Sequence, residues 1–482
     1  MSAIRDRLLK YYIEAPAQID SSNYQKELYD FLRTVTSDDI QGMEEHRKFI
    51  DLIAVLRNQM ESNDVLHGQN YLKTVTALLS VGADGIYTGK QRFLFELIQN
   101  VDDCDYDDIT ACHLRVDFCR DTISLTYNEK GFSPANVFAI TGIAEAAKNV
   151  EVGKIEIGEK GLGFKSVFGV CEEVLIQSGM FSFSLNRNHF TVPQSCYEGF
   201  KPVSGTKLTL KLKSDTAVYN IYRNLADQYC TADALSSHNP MLFLNKLTEL
   251  DFFMDNEIRR LHFYAERKPK EKLSEEVDVE RDIKVSADLY DYFNGRDQEY
   301  HPCFTGDRYT LTTQYDQRMC RSRYGNDTRL TGKAMTLQAI YPHKEYIKAA
   351  NDSKNSIEQG TLYSFMPTQV RLVTPIIMHA PFKLNGAREN VDPQDKNAWY
   401  LHTLKCLISL VHQSLYDVAS QRGEDVLYFI PQKQSYLFGT NEHLQSPELT
   451  GEKLISDPVL RCQDGAFHSA ADAMAFDGNL PV

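Results

Sequence analysis

Two short segments of the chain carry residue types suited to phosphate chemistry. In the first, FLFELIQNVDDCDY, the spacing of Glu96, Asn100 and Asp103 puts all three on one face of a helix. In the second, IGEKGLGFKSVF, a glycine-rich turn leads into a helix-like segment that carries Lys165. A carboxylate and a carboxamide on a helix, facing a glycine loop at a helix start, suit a metal-bound polyphosphate. These segments predict an ATP site.

The first segment supplies two candidate roles. Glu96 is a candidate general base, and Asn100 is a candidate Mg²⁺ ligand through its amide oxygen. The alternative is the polar face of an ordinary amphipathic helix, because this spacing alone carries little information. The opposite face is apolar and contains Phe93, Leu94, Leu97 and Ile98. An unpaired Glu and Asn buried beside such a face would be costly, which favours a function for them.

The second segment is not a standard P-loop. Gly89-Lys90 is followed by Gln91 and lacks the upstream glycine at the required spacing. The turn before FKSVF offers backbone N–H groups that, together with Lys165, are expected to contact phosphate. The alternative is a tight turn without a ligand. In SGTKLTLKLK, Thr206 begins a strand directly after a glycine. Its hydroxyl is expected to line the same pocket; the alternative is that the segment is an ordinary turn before a strand.

The elements that would position these residues follow from hydrophobic periodicity. Three- and four-residue spacing predicts helices through residues 1–70 and over QNYLKTVTALLSVGADG. Strands are predicted at HLRVDFC, TISLTYN, EVLIQSG, FSFSLN and TKLTLKLK, with helices at SPANVFAITGIAEAA and GFKSVFGVC. This pattern indicates an α+β sandwich in which helices cover one face of a mixed, largely antiparallel sheet.

Beyond about residue 246 the pattern weakens. The charged stretch ERKPKEKLSEEVDVERD is expected to form a solvated hairpin or a linker. A second α/β unit is indicated by the strand LVTPIIMHAPF and the amphipathic helix WYLHTLKCLISLVHQSLYDVA. The tail from about residue 424 is expected to be irregular.

Composition excludes several classes of function. The 482 residues include 52 basic and 66 acidic side chains, and the resulting net charge of −14 makes nucleic acid an unlikely partner. No apolar run is long enough to span a membrane, and the N-terminus lacks the apolar core of a secretory signal. The ten cysteines form no CxxC pair and no zinc-type Cys/His spacing. An intracellular, cytoplasmic protein without a structural metal is expected, and a nuclear location remains open.

Four segments in order resemble the boxes of the Bergerat-fold (GHKL) ATPases. They are ELIQNVDD, the GF turn in YNEKGFSP, IGEKGLGFKSVF and GTKLTL, and they cover roughly residues 87–212. That superfamily includes gyrase, the ninety-kilodalton heat-shock chaperone, histidine kinases and MutL. The segments RFLFELIQNVDDCDY and GEKGLGFKSVF are most similar to the sacsin and NO VEIN-type branch, which has many fungal members. FMPTQVRLVTPIIMHAPFKLNGARENVD resembles the stretch that follows the ATPase module in this branch.

The resemblance implies a Bergerat-fold α/β sandwich that binds ATP and Mg²⁺ beneath a mobile lid, here at about residues 142–159. It implies a helical extension (1–70), an ATP-binding domain (71–245), a smaller α/β domain (246–425) and a C-terminal tail (426–482). N-terminal helices often mediate dimer contacts in this superfamily, so a homodimer is one expected state.

The resemblance also implies roles for individual residues. Glu96 falls on the catalytic glutamate, Asn100 on the magnesium-binding asparagine, and Asp103 on the acidic position that follows. Thr206 falls on the threonine near the adenine. The phosphate loop and its flank would contain Gly158, Gly161, Leu162, Gly163, Phe164, Lys165 and Ser166.

The adenine-reading box departs from the family pattern DxGxG. With Gly131 aligned and followed by Phe132, Tyr127 falls on the aspartate position and Glu129 on the first glycine. A shift by one residue places Asn128 at the aspartate position instead. The aspartate is missing in both alignments, and Asn128 is the expected replacement because its amide oxygen can accept the same hydrogen bond.

Two basic residues complete the expected site. Lys148 corresponds to a lysine of the lid in this branch. Arg388, in NGAREN, is a candidate arginine that reaches the γ-phosphate from the second domain, or part of a surface turn with Glu389.

Three functions follow from these expectations. The first is a Mg²⁺-dependent ATPase in which lid and domain closure drive a chaperone-like or switch function on an unknown protein client. The second is a degenerate nucleotide-binding scaffold without turnover, which the missing aspartate motivates. The third is a metabolic enzyme that uses ATP to phosphorylate or activate a small molecule.

Overall fold

The computed structural model describes residues 3–63, 92–142, 164–214, 216–229, 239–254, 258–266, 268–293, 296–324, 331–347, 359–384, 390–392, 396–462, 465–469 and 472. Helices predicted near the N-terminus are present: α1 (Ala3–Gln18), α2 (Ser22–Leu32) and α3 (Gly42–Asn63). The Ser21 side chain caps α2 by accepting a hydrogen bond from the Tyr24 backbone N–H. The helix predicted over QNYLKTVTALLSVGADG lies outside the described residues.

The elements of the region predicted to contain the ATP site follow in chain order. They are α4 (Arg92–Asp103), β1 (His113–Phe118), β2 (Thr122–Tyr127), α5 (Pro134–Ile140), β3 (Cys171–Ser178), β4 (Phe181–Asn186), β5 (His189–Ser195), β6 (Thr206–Leu212) and α6 (Val218–Tyr229). The predicted helix in GFKSVFGVC is a 3-10 helix, Phe164–Gly169. Strand β5 was not predicted, because Pro193 interrupts its pattern. Proline is tolerated there because β5 ends the sheet.

The second half of the chain adds further strands and helices. The strands are β7 (Glu249–Met254), β8 (Arg259–Glu266), β9 (Glu271–Lys272), β10 (Val277–Phe293), β11 (Arg296–Tyr300), β12 (Cys303–Gln314), β13 (Ala334–Pro342), β14 (Thr361–Ser364), β15 (Met366–Arg371), β16 (Ile377–His379), β17 (Leu460–Arg461) and β18 (Phe467–His468). The helices are α7 (Gln317–Tyr324), α8 (Ala398–Arg422) and α9 (Gly451–Leu454). The amphipathic helix predicted from WYLHTLKCLISLVHQSLYDVA is therefore present, and the predicted charged hairpin forms where β9 pairs antiparallel with β10.

One large sheet joins the two halves. Its main path is β15-β14-β16-β13-β12-β10-β8-β7-β1-β2-β6-β3-β4-β5. The pairing is antiparallel except between β1 and β7 and between β14 and β16. The fold is thus the predicted α+β type, with a large, mostly antiparallel sheet. The domain division at residue 246 stays a prediction, and the β1–β7 pairing shows that the sheet continues across that position.

Two hydrophobic cores lie along this sheet. The first is built from helices α1–α6 and the inward side chains of strands β1–β8. The second gathers the inner side chains of β12, β13, β14 and β16 around α8. The tail after α8 contributes buried side chains to this second core, among them Phe429, Leu437, Phe438 and Leu449. No helix among the described residues has the length and apolar character to cross a bilayer.

Candidate functional site

The first predicted segment forms helix α4, which carries Glu96, Asn100 and Asp103. Phe93, Leu94, Leu97 and Ile98 are buried in the first core. The Glu96 side chain is 9% exposed, and Asn100 is half-buried one turn later on the same helix. The helix packs against the 3-10 helix Phe164–Gly169, so the structure brings the two predicted segments into contact where both are described.

Asp102 holds the end of α4 and was not among the predicted residues. Its carboxylate accepts hydrogen bonds from the backbone N–H groups of Asn245 (2.7 Å), Lys246 (2.8 Å) and Leu247 (2.8 Å). The Lys246 ammonium donates to the carbonyls of Asp103 (3.0 Å) and Cys104, at the carbonyl end of the helix. A carboxylate at a helix C-terminus opposes the helix dipole. An aspartate at the end of a predicted helix therefore indicates, from the sequence alone, that its carboxylate needs specific hydrogen-bond partners.

A buried polar network lies at the GF turn. Thr206 on β6 is opposite Ser178 on β3, and its Oγ1 lies 2.5 Å from both Ser178 Oγ and Glu129 Oε1. Because an ionised carboxylate only accepts, Thr206 donates to Glu129, and Ser178 in turn donates to Thr206. The Phe132 backbone N–H donates to Ser178 Oγ over 2.7 Å. These bonds connect the turn to strands β3 and β6.

Burial raises the pKa of Glu129, against the lowering effect of hydrogen bonds from Thr206 and from the Gly131 backbone. Two glycines permit this arrangement. Gly131 has φ +92°. Gly205 has φ +75°, and a Cβ atom there would lie 2.2 Å from the Tyr127 carbonyl oxygen. Thr206 can therefore approach the turn closely only if glycine precedes it.

Asn128, the predicted base-reading residue, bonds to backbone groups where the chain enters β1. Its side chain is exposed, accepts a hydrogen bond from the His113 backbone N–H (2.8 Å) and donates to the Ala111 carbonyl (2.6 Å). The acid beside Thr206 is Glu129, which the family alignment placed on a glycine. The structure thus adds Glu129 as a second candidate for base binding, and the role of Asn128 stays a prediction. The missed signal was an acidic residue two positions before Gly131.

Lys165 also differs from expectation. Its side chain is 1% exposed, and its ammonium donates to the carbonyls of Ile140 (2.5 Å) and Phe190 (2.6 Å). Burial, aided by the positive charge of Arg57, lowers the pKa of Lys165 to about 7. The Lys165 ammonium is thus engaged by backbone carbonyls in this structure, and its contact with phosphate stays a prediction. The side chain instead ties the end of α5 to β5.

The other predicted residues divide into two groups. Phe132, Phe164 and Ser166 are half-buried around the first core, and Asp103 is half-buried at the end of α4. Lys148, Gly158, Gly161, Leu162, Gly163 and Arg388 lie outside the described residues, as does the expected lid beyond residue 142.

No family model matches the chain. A segment of 101 residues is 35% identical to Protein NO VEIN of Arabidopsis thaliana, covering 21% of this chain and 4% of that protein. Chaperone protein HtpG of Roseobacter denitrificans is 30% identical over 174 residues, or 29% of this chain and 27% of HtpG. HtpG of Nitrosococcus oceani is 27% identical over 134 residues, or 23% and 21%. These partial matches support a relationship to the GHKL-type ATPase superfamily at most.

Four described residues have the polar side-chain types that a bound nucleotide would need. Glu129 and Thr206 have buried polar atoms, as contacts to a base would require. Asn100 and Asp103 have oxygen atoms of the kind that Mg²⁺ prefers. For the phosphates, Lys165 already donates to two backbone carbonyls, and the glycine loop lies outside the part of the chain that the structure describes.

Proposed function

We propose that the chain is a Mg²⁺-dependent ATP-binding protein that hydrolyses ATP and couples the nucleotide to a chaperone-like or switch function. The observation that carries this proposal is the convergence of segments far apart in sequence. Thr206 bonds to Glu129 at the GF turn, and α4 with Glu96 packs against Phe164–Gly169. The partial similarity to chaperone HtpG supports the same reading.

Glu129 takes the base-binding role in this proposal. A buried carboxylate held by Thr206 accepts a hydrogen bond from an exocyclic amino group, which adenine has at its exposed edge. In this proposal Glu129, beside Thr206, takes the place of the family aspartate. Its side chain is longer than that of aspartate and comes from a different position in the turn. The missing aspartate is then no reason to infer a degenerate site.

Glu96 and Asn100 take the chemical roles. The Glu96 carboxylate orients and deprotonates the attacking water, and its low exposure favours this because bulk water competes less for its oxygens. Asn100 would hold Mg²⁺ through its amide oxygen, with Asp103 nearby. The ion supplies charge neutralisation of the phosphates when bound.

Asp102 and Lys246 give a route from this helix to the second half of the chain. Both join the end of α4 to the segment that enters β7, a strand paired with β1 and β8. A shift of α4 on nucleotide binding would therefore be transmitted to β7 and the strands beyond it. The glycine loop, Lys148 and Arg388 remain proposed phosphate and lid contacts. A protein client and a homodimer remain proposed partners.

Turnover of ATP separates this proposal from its two rivals. We expect Mg²⁺-dependent phosphate release by the wild-type chain and a loss of about 100-fold or more in Glu96→Gln, with ATP binding retained. Glu173→Gln on β3 is the matched control and should leave turnover unchanged. Binding without any turnover in the wild type would favour a scaffold. Release of ADP only with an added small-molecule acceptor would favour a phosphotransferase.

A further inference from the structure

A second group of ligand-type side chains lies on the sheet face turned away from the first core. Along β1, β7 and β8 the side chains alternate, with Leu114, Leu250 and Leu261 buried in that core. The intervening positions place His113, Glu249, Asp251 and His262 together on the opposite face. In register, His113 is opposite Glu249, and Asp251 is opposite His262.

Asp251 lies between two imidazole rings. Its Oδ2 is 2.8 Å from His113 Nε2, and its Oδ1 is 2.6 Å from His262 Nδ1. With an exposed side-chain fraction of 11%, the Asp251 carboxylate is largely shielded from water.

No lysine or arginine forms an ion pair with Asp251 in the described part of the chain. Arg115 is opposite Asp251 in register, yet its guanidinium pairs with Asp117 at 2.7 Å and lies over the Phe253 ring. Among the ion-pair partners that the described residues supply, Asp251 thus faces only the imidazoles of His113 and His262. The exposed Glu249 adds a second carboxylate beside this group.

We propose that His113, Asp251 and Glu249 bind a divalent transition-metal ion of the zinc type, with His262 positioning the Asp251 carboxylate. One ligand atom from each of the three residues lies within 4.8 Å of the others. Zinc bonds of about 2.0–2.2 Å to nitrogen and oxygen need a somewhat closer set. The exposed Glu249 side chain can close this gap without moving the sheet.

Binding exchanges a proton for the metal ion. A carboxylate only accepts hydrogen bonds, so His113 Nε2 carries a proton where it faces Asp251 Oδ2. The metal ion takes that place. A doubly protonated His113 ring releases its Nε2 proton to solvent, whereas a neutral ring changes tautomer and carries its proton on Nδ1, so that in both cases the bound ring is neutral. His262 Nδ1 continues to donate to Oδ1 and fixes the carboxylate, as outer partners of metal ligands do.

A similar group in the second half of the chain is less suited to a cation. Asp282, Asp307 and His343 also lie close together. Asp307, however, is paired with Arg422, and Arg281 Nη1 lies 3.8 Å from its Oδ2. Two guanidinium groups beside the central carboxylate disfavour a further positive charge. This group therefore provides the control for the first.

The test is a titration of the full chain, stripped with a chelator and free of nucleotide, with ZnCl2 by calorimetry and with Co²⁺ by visible absorption. We expect one saturable site in the wild type and an intense visible Co²⁺ band. His262→Gln should weaken zinc binding by about 10- to 100-fold, and His113→Asn and Glu249→Gln by at least as much. His343→Asn should bind as the wild type does.

The Glu249→Gln variant distinguishes loss of metal binding from misfolding, because Glu249 is exposed. Without metal, this variant should have the same melting temperature as the wild type. The proposal is overturned if the wild type binds no zinc. It is equally overturned if His113→Asn and Glu249→Gln bind as the wild type does, or if only His343→Asn loses the site. None of these outcomes depends on whether the chain binds ATP.

Discussion

Thr206 donates a hydrogen bond to Glu129 over 2.5 Å, although 77 residues separate them in the chain. The contact exists because β6 pairs with both β2 and β3, so that Thr206 faces the turn that follows β2. It places a buried carboxylate beside Thr206 at the turn after β2. The proposal of Glu129 as the base-binding acid therefore depends on sheet register, which motif spacing does not reveal.

Substitutions can distinguish whether Glu129 or Asn128 binds the base. We expect Glu129→Ala to weaken ATP binding by about 10- to 100-fold, since a hydrogen bond to a charged group contributes about 1.5–3 kcal/mol. Asn128→Ala should leave the ATP affinity within about threefold while lowering the free energy of unfolding by about 1–2 kcal/mol, because its bonds are to backbone groups. Calorimetric titration and urea unfolding measure these effects. The reverse pattern would restore Asn128 as the base-reading residue.

Gly205 is expected to be required for the approach of Thr206 to the turn. Gly205→Ala should cost more than about 3 kcal/mol of unfolding free energy, because a Cβ atom would collide with the Tyr127 carbonyl at φ +75°. Gly199→Ala is the matched control. Gly199 has φ +68° with no atom within 4 Å of the added Cβ, so its cost should be about 1–2 kcal/mol. Equal losses in urea unfolding would refute the close contact.

Asp102 is expected to stabilise the junction between α4 and β7. Asp102→Ala removes the acceptor of three backbone N–H groups and should lower the free energy of unfolding by about 3–5 kcal/mol. Asp107→Ala, whose side chain is 88% exposed, should change it by no more than about 0.5 kcal/mol. Chemical denaturation compares the two variants. A small effect of Asp102→Ala would mean that the junction is held by other contacts.

Lys165 predicts a pH dependence of stability. Its pKa is about 7 in the folded chain, against the ordinary lysine value of 10.5. Between these two values the unfolded chain binds a proton that the folded chain lacks, so the Lys165 contribution to stability rises with pH. The unfolding free energy of the wild type should therefore increase relative to that of Lys165→Met between about pH 7 and about pH 9. The increase should be at most about 1.4 kcal/mol per pH unit. Parallel pH profiles would show that Lys165 does not titrate in this range.

Local patterns predicted those elements whose burial alternates simply. Strands β1, β2 and β6 alternate in burial along the chain, and α4 and α8 bury residues at helical spacing. Strand β10 was largely missed because charged residues interrupt it and a bulge shifts its register near Ile283. Its stability comes from strand pairing on both sides, which a local pattern does not reveal.

The site was less predictable than the fold. The apolar residues of α4 are buried as the helical spacing predicted, but Glu96, which was placed on the opposite face, is buried as well. The burial of Lys165 was invisible in the sequence, because it depends on the carbonyls of Ile140 and Phe190, each 25 residues away. The pairing of His113 with Asp251 spans 138 residues and arises only from the parallel pairing of β1 with β7.

The most direct test of the ATP site is an equilibrium titration of the wild-type chain with ATP, with Mg²⁺ present and after its removal by a chelator. The proposed site predicts saturable binding of one ATP per chain, weakened at least about tenfold without Mg²⁺, because the ion neutralises phosphate charge that protein side chains would otherwise meet. Absence of saturable ATP binding in the presence of Mg²⁺ by a chain that unfolds cooperatively would contradict it.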